Sequence, residues 1–281
     1  QGISDKQNQG SGGSYGHGAV SALLYSAIRC VFYYSKVNEE PRERFFGKII
    51  LQTHHHPTKE KNPKTRAHGY YGYNNEHISP QTDTDIPSWA SEFRDEVSPG
   101  EGCSVYIPYT NYNKQLIPAT IIALIANFYM AFQKAKLEAT VDGIKINSKN
   151  INLVYEKYRK KFYKDFNKFD DDIDTNYIEE CFMSIETIRK PNHTSTTKIP
   201  NFGRIEWFLR IADDIPRSRV GISRKLGMLI TRKAKHLDRF TGFKAFDMFV
   251  CVRGDEANEN LKQLENPQHT AFELNRVSDL P

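Results

Sequence analysis

The residues with the clearest potential for chemistry form a glycine-rich loop near the start of the chain. This loop runs directly into an apolar segment with helical spacing. Glycines let the backbone approach an anion closely, and the first N–H groups of a helix favour negative charge. The pattern therefore indicates a cradle for a phosphate group. The cradle residues would be Gly13, Ser14, Tyr15, Gly16, His17, Gly18 and Ala19. A flexible glycine linker is the alternative, and the polar leader over residues 1–11 favours it.

A second candidate is a pair of cations, Arg224 and Lys225, between the strand-like segments 217–223 and 228–232. A cation at the tip of such a turn can stabilise negative charge on a phosphoryl group that is being transferred. The pattern thus indicates two candidate catalytic residues. A solvated basic turn is the alternative.

Three further clusters of polar residues favour ordinary structural interpretations. Three consecutive histidines at 54–56 cannot all face one ion, since strand side chains alternate, and no cysteine or carboxylate lies at zinc-like spacing. We therefore predict a solvated loop and no metal site. The acidic run at 170–174 predicts a surface turn. The basic helix at 157–168 reads as an aromatic core face with solvated lysines, and a DNA-facing patch is the alternative.

The elements that must position these residues are predicted from periodicity and turn chemistry. A helix at 19–27 is followed by strands at 28–35 and 45–53 and a short helix at 87–97. A strand at 102–108 precedes a long, nearly all-apolar helix at 115–136, which should be buried. Asp142-Gly143 predicts a hairpin. Two helices, a loop at 191–200, four strands and a last helix at 256–264 follow. The pattern predicts an α+β fold.

Length and composition limit the class of protein. A chain of 281 residues can hold one large domain or two modest ones. No run of about 18 apolar residues occurs, so we expect no membrane partner. Four scattered cysteines without a Cys-x-x-Cys pair favour a reducing, cytoplasmic setting. The net charge of +5 permits a nucleic-acid partner without requiring one. The chain opens in a polar loop without Met, and we expect a piece of a longer protein.

Three sequence motifs, called here the first, second and third phrases, resemble those of a known family. The first is Gly13-x-x-Gly16-x-Gly18, which opens a helix that leads into Arg29-Cys30-Val31-Phe32-Tyr33-Tyr34-Ser35. The second is Arg224-Lys225-Leu226-Gly227-Met228-Leu229-Ile230. The third is Leu261-Lys262-Gln263-Leu264-Glu265-Asn266-Pro267-Gln268-His269. Together they resemble the lid and transducer of the GHKL ATPases (gyrase, heat-shock chaperone, histidine kinase and MutL). The likeness is greatest to prokaryotic MutL/MORC-like ATPases of restriction and phage-defence systems.

The resemblance implies a specific organisation. Residues 1–100 would be the C-terminal part of a Bergerat-type ATP-binding sandwich, and residues 101–281 a ribosomal-protein-like βαβ transducer domain. The transducer's basic turn would reach the γ-phosphate of ATP, with Lys225 preferred because related transducers commonly use a lysine. The resemblance further implies a homodimer and a DNA or nuclease partner.

The same resemblance also implies that this chain holds only part of a nucleotide site. The sequence contains neither an Asp-x-Gly-x-Gly motif nor the Glu/Asn helix of the family. We therefore expect the adenine-reading residues, the general base and the Mg²⁺ ligands upstream, and no ATP turnover by this chain alone. Ala19 stands where relatives often carry a lysine, which leaves open an ATPase that binds without hydrolysing. A non-catalytic module that binds nucleic acid or protein is the alternative function.

Overall fold

The computed structural model describes residues 18–53, 55, 64–74, 78–97, 100–110, 113–166, 169, 174–234, 237, 242–266 and 271–273. The chain forms two compact units, Gly16–Tyr112 and Asn113–Pro281. Both combine helices with sheets, so the coarse prediction of an α+β fold is confirmed.

The first unit is built on an antiparallel sheet with the strand order β3-β2-β1-β7, and β6 also pairs with β2. Its helices are α1 (Gly18–Tyr25) and α2 (Ser88–Val97). The strands are β1 (Cys30–Lys36), β2 (Glu43–Ile50), β3 (His68–Tyr71), β4 (Tyr73–Asn74), β5 (Ile78–Ser79), β6 (Gln81–Thr82) and β7 (Gly102–Tyr106).

Aromatic side chains form the small core of this unit. Tyr34 and Phe45 are fully buried beside Ala90 of α2. Phe32 stacks on Phe45 with ring centroids 5.4 Å apart, and Trp89 meets both rings edge-on. Aromatic residues suit a half-buried pleated surface, which explains why this stretch forms strands.

The second unit has a larger sheet with the strand order β10-β11-β14-β12-β13 and a separate hairpin of β8 and β9. Its helices are α3 (Leu116–Gln133), α4 (Ile151–Lys164), α5 (Thr175–Arg189) and α6 (Asp255–Leu264). The hairpin comprises β8 (Ala139–Val141) and β9 (Ile144–Ile146). The large sheet comprises β10 (His193–Ile199), β11 (Gly203–Ile211), β12 (Arg219–Ser223), β13 (Leu229–Thr231) and β14 (Phe246–Val252).

Alternation along the strands gives the large sheet two apolar faces. Phe208 and Phe249 belong to the main core, which also contains residues of α3, α4 and α5. Ile205 and Val252 point the other way and pack with Leu261 of α6. Successive side chains of a strand face opposite sides, so the same two strands serve both layers.

The long helix α3 is the centre of the second unit. In the described part of the chain it is the one helix long and apolar enough to cross a membrane by length and composition. Its buried residues, from Ile121 to Phe132, belong largely to the core shared with α4 and α5. The prediction of a long buried helix is confirmed.

Three features of the fold differ from the sequence-based expectations. β7 pairs with β1, so the division predicted after residue 100 falls before the last strand of the first unit. The predicted loop at 191–200 contains β10, a polar edge strand that pairs with β11 along its whole length. β12 and β14 are parallel neighbours, yet the described residues between them form β13 and no helix, unlike a βαβ unit.

Candidate functional site

The predicted phosphate cradle is only partly within the described residues. Gly13 to His17 lie outside them, whereas Gly18 and Ala19 are the first two residues of α1. A helix therefore does begin at the end of the glycine loop, as the sequence indicates. The described chain shows this helix start and nothing further of the cradle.

The second candidate, the basic turn, directly follows β12. The carbonyl of Arg224 accepts a hydrogen bond of 2.9 Å from the N–H of Gly227. Gly227 has φ +86°, and a Cβ added there would lie 2.7 Å from the backbone nitrogen of Ala131 in α3. Only glycine meets both conditions without strain, so the turn lies directly against the backbone of α3.

Arg224 is not at an exposed tip. Its Nη1 donates to Oε2 of Glu265 at 2.5 Å, and the two side chains are 5% and 2% exposed. Its Nε also donates to Oδ1 of Asn258 at 3.3 Å. Glu265 directly follows α6 and Asn258 lies near its start, so the ion pair and the hydrogen bond together fasten the turn to α6. Arg224, one of the two predicted catalytic residues, is therefore buried by a carboxylate that is distant in sequence.

Lys225 has the opposite environment. Its side chain is 39% exposed and pairs with that of Asp255 at the start of α6. The Asp255 side chain is 85% exposed. Its backbone is held on both sides. The N–H donates to Oδ1 of Asn258 at 3.4 Å, and the carbonyl accepts a 2.7 Å hydrogen bond from Nζ of Lys136. The turn thus presents one accessible ammonium on a fixed backbone.

Two buried polar atoms at this strand end have no hydrogen-bond partner: Oγ of Ser223 and Nη2 of Arg224. Leaving a buried polar group unpaired costs about 1–3 kcal/mol. These two atoms are therefore polar groups at the end of β12 that a bound molecule could engage.

The turn lies where the parallel strands β12 and β14 both end. β14 is followed by Arg253, and the residues just after α3 add Lys134 and Lys136. Arg253 and Lys134 both pair with Glu206 of β11, the latter at 3.5 Å. Ligands of open sheets commonly bind beyond the carboxyl ends of parallel strands.

Electrostatics at this strand end favour a negatively charged ligand. Burial lowers the pKa of Lys136 below its usual value, and the positive charges of Arg253, Lys225 and Lys134 lower it further. The ionised form of the Cys251 thiol would act in the opposite direction. Cations that repel one another in this way gain stability when an anion binds among them.

The first unit contains a different candidate, an open cavity of about 700 Å³. Lys36 and Arg42 line it together with three carboxylates, those of Glu43, Asp83 and Glu101. Lys36 already pairs with Glu43 at 2.9 Å. An excess of negative charge is unfavourable for a phosphate, so this cavity does not fit the predicted chemistry.

The described part of the chain also contains no group of three or more His, Cys, Asp or Glu residues that could hold a metal ion. Of the three consecutive histidines, only His55 is among the described residues, where it forms an isolated bridge with Lys64. In α4 the aromatic residues Tyr155, Tyr158 and Phe162 are buried, as the core-face interpretation expects.

Sequence reasoning singled out Lys225 as a candidate but did not identify the residues that position it. Lys136 follows a helix and looks like an ordinary end-of-helix lysine, while Glu265 looks like part of a helix terminus. The one signal that pointed to Glu265 was its place in the third phrase of the family resemblance. The structure brings that phrase and the second one into direct contact through Arg224 and Glu265.

Comparison with known proteins adds no further constraint. No protein-family model matches the chain, and no curated protein matches its sequence.

Proposed function

We propose that this chain supplies the lid and the transducer of a GHKL-type ATPase. The first unit would be the C-terminal part of a Bergerat-type sandwich, and the second a ribosomal-protein-like transducer. The protein would act as an ATP-driven conformational switch in a DNA-related or phage-defence process, as a homodimer with a DNA or nuclease partner. The observation that carries the proposal is Lys225, an accessible ammonium on a backbone fixed by three separate contacts.

Lys225 is the residue that would touch the terminal phosphate of ATP. Its resting partner, Asp255, is mostly exposed to solvent, and exposed ion pairs contribute little. A phosphate with more charge can therefore replace the carboxylate at small cost. The ammonium would then neutralise charge on the phosphoryl group, which is the main contribution that proteins make to its transfer.

Arg224 has a positioning role in this proposal. Its guanidinium is committed to Glu265 and Asn258, so it fixes the turn from which Lys225 extends. Residues 13–19 would cradle the phosphates, with the first turn of α1 supplying backbone N–H groups. The residues that read adenine, supply the general base and hold Mg²⁺ would lie upstream of this chain.

An ATPase assay of the full-length protein that contains this chain tests the proposal. We expect Lys225→Ala to lower kcat by about 10²–10³, the usual effect of removing one group that stabilises transition-state charge. Lys244→Ala is the matched control, because Lys244 also forms an exposed pair with an aspartate in the same unit. Unchanged turnover in Lys225→Ala would refute the proposed contact between Lys225 and the terminal phosphate. Steady ATP turnover by the 281-residue chain alone would refute the lid-plus-transducer assignment.

A further inference from the structure

The end of the parallel strand pair holds more cations than the role proposed for Lys225 requires. Lys134 and Lys136 follow α3, Lys225 belongs to the turn and Arg253 follows β14. Their charges act on one another, since three of them lower the pKa of the fourth, Lys136. Four cations from three separate segments therefore share one location.

The carboxylates in this location neutralise three of these cations and not the fourth. Glu206 pairs with Lys134 and Arg253, and Asp255 pairs with Lys225. Within the described part of the chain, no carboxylate forms an ion pair with Lys136. Its ammonium donates instead to the carbonyl of Lys225 at 2.7 Å. Lys136 is thus a cation that lies beside Lys225, and no carboxylate among the described residues compensates its charge.

We infer that Lys136 and Lys225 together form the binding site for a phosphate group, with Lys136 as the second phosphate ligand. The identification of that group as the terminal phosphate of a nucleotide rests on the proposed function. The assignment of Lys136 goes beyond it, because it makes the end of α3 part of the site.

The physical argument concerns what an arriving anion changes. In the present arrangement, Lys136 is an exposed residue whose ammonium is partly desolvated and is repelled by Lys225, Arg253 and Lys134. Glu206 and Asp255 are engaged by other cations, and the Cys251 side chain also acts on the ammonium. A phosphate would compensate the excess charge and stabilise the protonated amine. Binding should therefore raise the pKa of Lys136 and take up protons at alkaline pH.

Calorimetric titration of the 281-residue chain with inorganic tripolyphosphate tests this inference without ATP hydrolysis. Lys136→Gln keeps a side-chain donor for the Lys225 carbonyl but removes the charge, whereas Lys136→Arg keeps both. We expect Lys136→Gln to weaken binding about tenfold, since a charged hydrogen bond typically contributes at least that factor. Lys136→Arg should bind nearly as the parent does. Lys244→Gln, at an exposed lysine elsewhere in the unit, should leave binding unchanged.

The proton count gives a second readout that a merely structural lysine would not affect. Titrations at alkaline pH in two buffers of different ionisation enthalpy should show proton uptake by the parent chain and less uptake by Lys136→Gln. Parallel titration with a short DNA duplex separates nucleotide phosphate from nucleic-acid phosphate. A Lys136→Gln effect on the duplex alone would overturn the assignment.

The inference and the proposed function can fail independently. Tripolyphosphate binding that depends on Lys225 and not on Lys136 would overturn the inference and leave the proposed function intact. Binding that depends on both lysines, combined with normal ATP turnover in full-length Lys225→Ala, would support the phosphate site and refute the ATPase role. Absence of tripolyphosphate binding to the parent chain would overturn the inference.

Discussion

The buried pair of Arg224 and Glu265 should contribute strongly to the stability of the second unit. Replacing Glu265 by Gln leaves a guanidinium buried without its counter-charge. Breaking a buried ion pair from one side costs about 3–5 kcal/mol. Few other contacts would compensate the Arg224 guanidinium in this variant. Its hydrogen bond to Asn258 is 3.3 Å long, and its Nη2 has no hydrogen-bond partner. We therefore expect a loss of free energy of unfolding of about 4 kcal/mol for Glu265→Gln.

Urea unfolding followed by tryptophan fluorescence measures this loss in the correct unit. The chain has two tryptophans, Trp89 in the first unit and Trp207 on β11 in the second. In a Trp89→Phe background, the signal comes from Trp207 alone. Its indole N–H donates to Oγ1 of Thr197 at 3.1 Å, so loss of the sheet changes its surroundings. Lys244→Ala, at the exposed pair, should leave the unfolding midpoint unchanged.

A double-mutant cycle decides whether the cost belongs to the pair. Arg224→Met together with Glu265→Gln removes both charges, so the double variant should be more stable than the sum of the single losses predicts. Contacting residues typically show coupling of 0.5–3 kcal/mol, and a pair this buried should lie near the top of that range. Strictly additive losses, or a loss below about 1 kcal/mol for Glu265→Gln, would refute the reasoning that this pair anchors the turn.

Three other measurements test the structure. Gly227→Ala should destabilise the second unit by more than the roughly 1–2 kcal/mol expected from positive φ alone, because its Cβ would meet the backbone of α3. Gly143→Ala, with φ +73° and open space around the Cβ, supplies the strain-only control. Burial alone would raise the pKa of Glu186, but the hydrogen bond from Tyr155 and nearby cations hold it below its usual value. The resulting stability is present above pH 4.5 and is lost as the pH falls through the lower folded-state pKa, so Glu186→Gln should flatten the acid limb of a stability profile. Among the cysteines only Cys103 is exposed, so Cys103→Ser should abolish rapid labelling of the folded chain by a thiol reagent, and continued rapid labelling would contradict the burial of the others.

Local signals predicted the elements that depend on local physics. Asp142-Gly143 predicted the β8–β9 hairpin because glycine accepts the positive φ that the turn needs, and Gly143 has φ +73°. The continuous apolar pattern predicted α3, since a helix that is apolar on all sides must be buried. The conformation of such elements is determined by residues that are close together in the sequence.

The features that sequence reasoning missed depend on partners far along the chain. β10 is mostly polar, and each of its residues is exposed. It forms a strand only because its backbone pairs with that of β11. β7 belongs to the first unit because it pairs with β1, which lies about seventy residues earlier. Arg224 resembled a solvated turn residue because Glu265, which buries it, lies 41 positions away. Periodicity and spacing contain no information on such pairings.

The two cations of the basic turn form ion pairs of very different exposure. Lys225 is bound to Asp255 by an exposed pair that is easily replaced, whereas Arg224 is bound to Glu265 by a buried pair that is costly to break. A phosphate that draws Lys225 toward itself would therefore exchange the weak contact and keep the strong one. Because Asn258 and Glu265 both bind Arg224, α6 would stay fastened to the turn during this exchange. Under the proposed function, the buried arginine would therefore hold the turn in place while the lysine side chain changes its partner.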